Sequence, residues 1–246
     1  MPSIIGDVAS LVILSFERPV FLQETIDSAR ENAGYPLEII VVDDGSKDPD
    51  CYHVINTAMG HRLISRAIFQ PAGNNQGVGE SVRVGFGAAV GDVLIKADQD
   101  LLYQPGWLRK AIDILELGLV EKNDGIHRVG CLGLFHYPVP DDRFQILSQH
   151  DGWCEVSDFC GSAFLIPRDV YEECGPIPTH SAAFAEDIEL KQRIQAAGYL
   201  LALPNEDLVT NRGFGIGPST VALALDEETG ASTVQSIHES PIIFGQ

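Results

Sequence analysis

Short apolar runs alternate with amphipathic segments along the first half of the chain. Four of these runs have the length and composition of buried strands: residues 8–14, 37–42, 63–69 and 92–97. The segments that follow them predict helices: residues 19–32, 50–59, 75–90 and 106–119. This βαβαβαβ order predicts an α/β fold with an open, mostly parallel sheet, in which ligands bind at the carboxyl ends of the strands.

The second half of the chain is less regular. Its apolar runs predict strands at residues 129–135, 155–159 and 161–166. A polar loop is expected at 138–152, a helical turn at 168–174, a loop at 176–184 and an amphipathic helix at 185–197. We therefore expect one domain over residues 1–212, followed by a wrapping tail at 213–246 rather than a second domain.

Composition narrows the function classes. The 246 residues are 45% hydrophobic and carry 35 acidic against 16 basic side chains, for a formal charge of −19. Such a surface repels phosphate backbones and anionic membranes, so a nucleic-acid partner is not expected. The chain also contains no apolar run of 18 residues and no basic, signal-like start, and its five cysteines have no metal-type spacing. These features predict a cytoplasmic protein without a membrane span.

Two carboxylates two residues apart, Asp98 and Asp100, follow the apolar run at 92–97. Side chains at i and i+2 of a strand point the same way, so a strand ending here would aim both into one crevice. Mg²⁺ is commonly held by one or two carboxylates together with substrate phosphates. The pair therefore indicates a metal-diphosphate site, with plain turn residues as the alternative. Polar clusters at 15–18 and 43–46 are expected on the same rim.

Six segments, taken in order, resemble the signatures of family 2 glycosyltransferases with the GT-A fold. They are Leu11–Pro19, Ile39–Ser46, Asn75–Gly77, Asp98–Asp100, Gly161–Arg168 and Ala185–Arg193. The resemblance covers roughly residues 8–212. It implies a nucleotide-sugar half at about 1–104, with a mostly parallel sheet, and a mixed acceptor half at about 105–212.

The resemblance also implies which residues hold the nucleotide. Ser15 and Phe16 match the first strand end, which contacts the nucleoside, although Phe16 could equally be a core aromatic. Asp44 matches the residue that accepts a hydrogen bond from the base, whereas Asp43 is expected to brace the turn. Asn75 and Gly77 match the segment beneath the nucleotide. The arginine that usually follows is displaced by one position, so no diphosphate role is carried onto Arg83.

For the metal, the resemblance implies Mg²⁺ or Mn²⁺ bound directly by Asp100, with Asp98 near the ribose and the ion. The cation would neutralise charge on the departing nucleoside diphosphate. Many relatives supply a histidine ligand after the last strand, but this chain has none at that place. Asn211, His238 or water remain open as the further ligand.

The acid pair Glu186–Asp187 matches the motif that carries the catalytic base of inverting relatives. A carboxylate within hydrogen-bond reach must take the proton of the acceptor hydroxyl, and Asp187 is the predicted base. Helix capping is the alternative, since acids are common in a first helical turn. Glu186 is expected to position the acceptor or the preceding loop.

Four further residues of the second half have weaker indications. His180, in the loop before this helix, could contact the acceptor or simply be solvated. Trp153 could stack on a sugar or belong to the core. Gln192 and Arg193 only partly match the signature of processive synthases, and without a membrane span a polymer-extruding synthase is disfavoured.

The sequence therefore predicts a metal-dependent, inverting, non-processive glycosyltransferase that moves one sugar, most simply UDP-linked, to an acceptor hydroxyl. One alternative is a sugar-nucleotide nucleotidyltransferase, which would carry a Gly-rich, basic loop after the first strand, where this chain has Ser15–Pro19. The other is a catalytically degenerate carbohydrate-binding protein. The sugar, the acceptor and the oligomeric state are left open.

Overall fold

The computed structural model describes residue 6 and residues 8–136, 144–179 and 186–212, together with the backbone of 221–225 and 232–236. By contacts the chain divides into two units, Met1–Thr210 and Asn211–Gln246. The described part of the second unit is Asn211, Arg212 and an antiparallel pair of strands. His180 and His238 lie outside the described residues, as do residues 180–184 of the predicted 176–184 loop.

The first half of the chain alternates strands and helices. The elements in order are β1 (Ala9–Ser15), α1 (Pro19–Asn32), β2 (Leu37–Asp43), α2 (Pro49–Gly60), β3 (Arg66–Phe69), α3 (Val78–Ala88), β4 (Val93–Asp98), β5 (Leu101–Tyr103) and α4 (Trp107–Leu117). Every predicted strand and helix of this half is present, with ends shifted by a few residues, and the short β5 was not predicted.

Strands dominate the second half. They are β6 (Leu119–Lys122), β7 (Gly125–Gly133), β8 (Ile146–Gln149), β9 (Trp153–Val156), β10 (Ala163–Pro167), β11 (Leu200–Pro204), β12 (Val209–Asn211), β13 (Val221–Leu225) and β14 (Ser232–Ser236). Two helices interrupt them, α5 (Arg168–Cys174) and α6 (Glu186–Ala196). The prediction missed β6, β8, β11 and the later strands, and it placed β9 two residues too late.

One sheet of ten strands organises the first unit, in the order β3-β2-β1-β4-β10-β7-β11-β9-β8, with β6 beside β7. The strands β3, β2, β1 and β4 are mutually parallel. Beyond them β10 runs antiparallel to β4 and β7, and β11 runs parallel to β7. A parallel half followed by a mixed half is the predicted fold class, which is confirmed.

Helices cover both faces of the sheet, as the buried apolar runs of the parallel strands require. On one face, α1, α2 and α4 pack against residues such as Leu11 and Ile39. On the other, α3, α5 and α6 pack against residues such as Val12 and Ile40. Successive residues of β1 thus enter opposite cores. No helix in the described ranges is long and apolar enough to cross a membrane.

Candidate active site

The strands β1, β2 and β4 are neighbours and end at the same edge of the sheet. Ser15 pairs with Asp43 in the ladder between β1 and β2, and Leu14 pairs with Asp98 in the ladder between β1 and β4. Polar segments that are far apart in sequence therefore meet here. Gln99 connects the segment after β4 to the segment after β1. Its side-chain amide accepts a hydrogen bond from the backbone N–H of Phe16 and donates one to the backbone carbonyl of Phe16.

The two acids at the end of β2, Asp43 and Asp44, have different hydrogen-bond partners. Asp43 is fully buried and accepts hydrogen bonds from the Ser15 hydroxyl and from the backbone N–H and hydroxyl of Ser46, so it braces the turn as predicted. Asp44 accepts hydrogen bonds from the backbone N–H groups of Gln76 and Gly77, each 2.8 Å from a carboxylate oxygen.

Asp44 therefore fastens the 74–77 loop to the end of β2. Gly77 has a φ of 87°, a value that favours glycine, at the point where this loop turns into α3. Burial raises the pKa of Asp44 above its ordinary value, and the two backbone donors counteract only part of that rise. Asn75 is exposed on this loop, and Phe16, directly after β1, is 39% exposed. An exposed aromatic ring at this edge is not a core residue.

The acid pair after β4 is partly buried and incompletely partnered. Asp100 forms an ion pair with Arg18, with 2.8 Å between Nη1 and Oδ2. The other oxygen of Asp100, Oδ1, is buried and has no hydrogen-bond partner among the residues that the structure describes. Burial raises the pKa of Asp100, and the neighbouring charge of Asp98 raises it further, whereas the charges of Arg18 and Lys96 offset part of that rise.

These residues fit a divalent cation. A buried carboxylate oxygen without a partner is costly, and a cation bound there would remove the cost. Arg18 already supplies one positive charge to the same carboxylate. Within the described residues no cluster of three or more His, Cys, Asp or Glu side chains forms a complete metal site. Asp98 and Asp100 therefore fit the case in which Mg²⁺ or Mn²⁺ takes the rest of its ligands from a substrate diphosphate and water.

Lys96 connects the acid pair to the next strand of the sheet. Its buried ammonium contacts Asp98 and donates a hydrogen bond of 2.8 Å to the carbonyl of Gly161, just before β10. Burial alone would lower the pKa of this lysine, yet the carboxylate of Asp98 together with the charge of Asp187 raises it. Lys96 therefore forms a buried salt bridge with Asp98 and also holds the Gly161 peptide.

Asp187 lies against the same glycine. It belongs to the first turn of α6, and a Cβ built on Gly161 would be only 2.2 Å from its Oδ2. Lys191, one turn further along the helix, is 3.0 Å from the same oxygen. Asp98, through Lys96, and Asp187 thus flank one peptide at one edge of the sheet.

Of the other predicted acceptor residues, Glu186 precedes Asp187 on α6, whereas Trp153 lies on the opposite face of the sheet. Glu186 is buried, with 8% of its surface exposed. Trp153 is 5% exposed, stacks on His150 and packs in the core on the face of α4, whereas α6 packs on the opposite face. It borders a separate cavity of about 510 Å³, together with α4 residues such as Lys110. For Trp153 the structure supports the core alternative and not a sugar platform beside Asp187.

The sequence reading assigned no role to four residues that hold this arrangement: Arg18, Gln99, Gly161 and Lys191. Arg18 and Gly161 lie inside recognised segments, but their partners are distant in sequence. Lys191 did carry a local signal, because it follows Asp187 by four positions on a helix, the spacing of a surface ion pair. Asn211 ends β12, and its role as a metal ligand stays a prediction.

Comparison with known proteins identifies the family and the fold. A family model described as glycosyl transferase family 2 matches residues 10–175. An uncharacterized glycosyltransferase of Haemophilus influenzae is 25% identical over 228 residues, which cover 87% of this chain and 68% of that protein. Two solved structures share the fold at 17% identity.

The first of these structures is the mannosyltransferase PcManGT of Pyrobaculum calidifontis, in complex with GDP-Man and Mn²⁺. Its TM-score is 0.57, over 87% of this chain and 62% of that one. The second is GalNAc-T7 with UDP, GalNAc and Mn²⁺. Its TM-score is 0.65, over 80% of this chain and 42% of that one. Both solved proteins are substantially longer than the region that this chain matches.

Proposed function

Because the chain belongs to glycosyl transferase family 2, we propose that it transfers one sugar from a UDP-sugar to an acceptor hydroxyl with inversion of the anomeric carbon. The observation that carries the proposal is the unpartnered Oδ1 of Asp100, which lies beside Asp98 at the sheet edge where Asp187 contacts Gly161. A site for a cation-bound diphosphate and a candidate base therefore border one edge.

The nucleoside is proposed to lie over the ends of β1 and β2. Phe16 offers an exposed ring face for the base or ribose. Ser15 is buried and fixes the end of β1, because its hydroxyl donates to Asp43 and its carbonyl accepts from the N–H of Asp44. Asp44 holds the 74–77 loop, so Asn75 and Gly77 form a fixed surface beneath the nucleotide. Each Asp44 oxygen accepts one hydrogen bond from the loop and retains a lone pair for the base.

Asp98 and Asp100 would hold Mg²⁺ or Mn²⁺. When bound, the cation offsets the negative charge that develops on the departing nucleoside diphosphate. Arg18 keeps one oxygen of Asp100 in place, which leaves Oδ1 for the metal. The two solved structures with this fold, PcManGT and GalNAc-T7, contain Mn²⁺, which supports a divalent ion here.

Asp187 is proposed as the general base. As the acceptor oxygen bonds to the anomeric carbon, its proton passes to the Asp187 carboxylate and the bond from that carbon to the β-phosphate oxygen breaks. A single displacement of this kind inverts the anomeric configuration. Asp187 lies in the first turn of α6, and the electropositive N-terminus of a helix is a favourable place for an acidic side chain.

The donor side can be tested without knowledge of the acceptor. Thermal unfolding is measured with UDP-sugars and with GDP-mannose, each with MnCl₂ and with EDTA. At about 100 times its Kd a donor stabilises the native state by about 2.7 kcal/mol. For a chain of this size that is a rise in Tm of about 5–10 °C. We expect this rise with UDP-sugars and Mn²⁺ together and not with either alone.

The controls localise the effect. Asp100→Asn should abolish the metal-dependent rise, whereas Asp113→Asn, an exposed acid on α4 with a surface partner, should retain it. A rise in EDTA equal to that in Mn²⁺ would contradict the metal site. A rise with GDP-mannose alone would contradict the UDP assignment. Slow donor hydrolysis, read by NMR for the anomer first released, tests inversion, and binding with no turnover on any donor would favour the carbohydrate-binding alternative.

A further inference from the structure

We infer that Lys191 is the positioning residue of Asp187: its ammonium holds Oδ2 of the carboxylate and leaves Oδ1 directed to the acceptor hydroxyl. The inference rests on the proposed function, in which Asp187 is the base. It adds a second buried group to the machinery and predicts how the basicity of Asp187 is set.

The ammonium of Lys191 is itself fixed from several sides. It lies 3.0 Å from Asp187 Oδ2, donates a hydrogen bond of 2.6 Å to the carbonyl of Phe159 and pairs with the carboxylate of Asp158. It also sits 4.8 Å from the centroid of the Phe159 ring. Only 5% of the side chain is exposed. A long, flexible side chain that is held in this way can define the position of the group that it contacts.

The carboxylate of Asp187 is held at one oxygen. Lys191 and the close approach to Gly161 both involve Oδ2. Within the described residues, Oδ1 has no hydrogen bond, and 16% of the side chain is exposed. This asymmetry suits a general base, because one oxygen sets the geometry and the other receives the proton.

The charged groups around Asp187 decide how strongly it holds that proton. Lys191 faces it on its own helix, Lys96 faces it from β4, and the buried thiol of Cys131 lies near it on β7. Asp158, in the segment before β10, competes for the Lys191 ammonium. Glu186 is the adjacent residue on α6. Removal of Lys191 should therefore make Asp187 more basic, and removal of Asp158 should make it less basic.

A purely structural lysine would behave differently. If Lys191 served only to anchor α6 to the Phe159 carbonyl, its loss would change stability but not the titration of Asp187. The two roles are therefore separated by a measurement on the Asp187 carboxylate itself. Such a measurement needs neither a donor nor an acceptor.

The experiment is a carboxyl ¹³C NMR titration of the full chain labelled at aspartate, with the Asp187 signal assigned by its loss in Asp187→Asn. We expect Lys191→Met to raise the titration midpoint by about one pH unit, since a nearby opposite charge is worth one unit or more. Lys191→Arg should restore the wild-type midpoint, and Asp158→Asn should lower it. Lys110→Met, which removes an exposed ion pair with Glu206, is the matched control and should change nothing.

Turnover gives a second readout, measured as UDP release from UDP-glucose, UDP-galactose and their N-acetylated analogues. A misplaced base should lower kcat about 100-fold in Lys191→Met with KM for the donor unchanged. Lys191→Arg should recover most of this loss. If Lys191→Met folds and both its Asp187 titration and its kcat equal those of wild type, the inference is overturned.

Two further outcomes keep the inference separate from the proposed function. If Lys191→Met fails to fold, Asp158→Asn decides, and an unchanged Asp187 midpoint in that variant overturns the inference. Full turnover by Asp187→Asn would overturn the proposed base, and this inference with it. Loss of turnover in Asp187→Asn together with a wild-type Lys191→Met would overturn the inference alone.

Discussion

Gly161 determines how closely Asp187 can approach the sheet. Its carbonyl accepts the hydrogen bond of Lys96, and its missing side chain leaves the space that Asp187 Oδ2 fills. Any side chain at position 161 would have to displace either the carboxylate or the segment before β10. The contact between Gly161 and Asp187 therefore leaves no room for even one methyl group.

Gly161→Ala tests that contact. A Cβ at this position would lie 2.2 Å from Asp187 Oδ2, so the carboxylate must move, and a displacement of about 1 Å at a catalytic group can cost about 100-fold in rate. We expect UDP release to fall by that order while Mn²⁺-dependent donor binding, measured by calorimetry, stays at the wild-type level.

The matched control is Gly60→Ala, because a Cβ at Gly60 meets no atom within 4 Å. It should leave turnover unchanged. Wild-type turnover in a folded Gly161→Ala protein would show that Asp187 can move without loss, and the proposed base would then be in doubt.

At the scale of elements, the parallel half was predictable because its strands are buried on both faces. β1 and β2 read as continuous apolar runs for that reason. α3 was also predicted despite its glycines, and the structure explains one of them. A Cβ at Gly85 would lie 2.2 Å from a methyl of Val12, so this glycine allows α3 to pack closely on β1.

The mixed half was less predictable for physical reasons. β8 lies at the sheet edge with three of its four residues exposed, and its two apolar residues, Ile146 and Leu147, are adjacent and do not alternate with polar ones as in a half-buried strand. β5 has only three residues, too few to show a period. β11 is a buried apolar run, Leu200–Pro204, that was not predicted as a strand because it follows the predicted helix at 185–197 so closely. The site residues came from recognised segments, whereas their partners depend on contacts across the sheet.

Trp153, the first residue of β9, tests whether the core on the α4 face of the sheet takes part in catalysis. Because it is buried on the α4 face, we expect Trp153→Leu to lower the free energy of unfolding by about 2–3 kcal/mol. Donor affinity and UDP release per folded molecule should not change. Urea unfolding and initial rates at saturating donor provide the two measurements, and a rate loss without a stability loss would return Trp153 to the acceptor site.

At the scale of the whole molecule, the protein carries a large negative charge and keeps acids buried at its candidate site. The formal charge is −19, so repulsion between like charges destabilises the folded state, and this destabilisation lessens as the pH falls. Asp44 and Asp100 add to this effect, because burial raises the pKa of each in the folded protein. Two independent causes thus act in the same direction, and salt can separate them.

The sign follows from proton linkage. Between the ordinary aspartate value of 3.8 and the raised folded pKa, the native state binds more protons than the unfolded state. The free energy of unfolding therefore falls as pH rises through that interval. His127 acts in the same sense, because hydrogen bonds to the Gly198 carbonyl and to Asp124 raise its pKa. The lowered pKa values of the exposed acids Glu80 and Asp124 act in the opposite sense, but only below the ordinary value.

We therefore predict that urea unfolding from pH 4.5 to 8 shows stability decreasing as pH rises. In 1 M NaCl, where the Debye length is about 3 Å, the contribution of surface repulsion should be largely screened while that of the buried acids remains. Asp100→Asn should reduce the remaining slope, whereas Asp113→Asn, altered at an exposed acid, should not. Mn²⁺ with UDP should reduce the wild-type slope in the same way, because a cation bound at Asp100 favours its ionised form. If the dependence of stability on pH in 1 M NaCl were the same for Asp100→Asn and wild type, Asp100 would not be the buried acid with the raised pKa. The proposed cation site at Asp100 would then be contradicted.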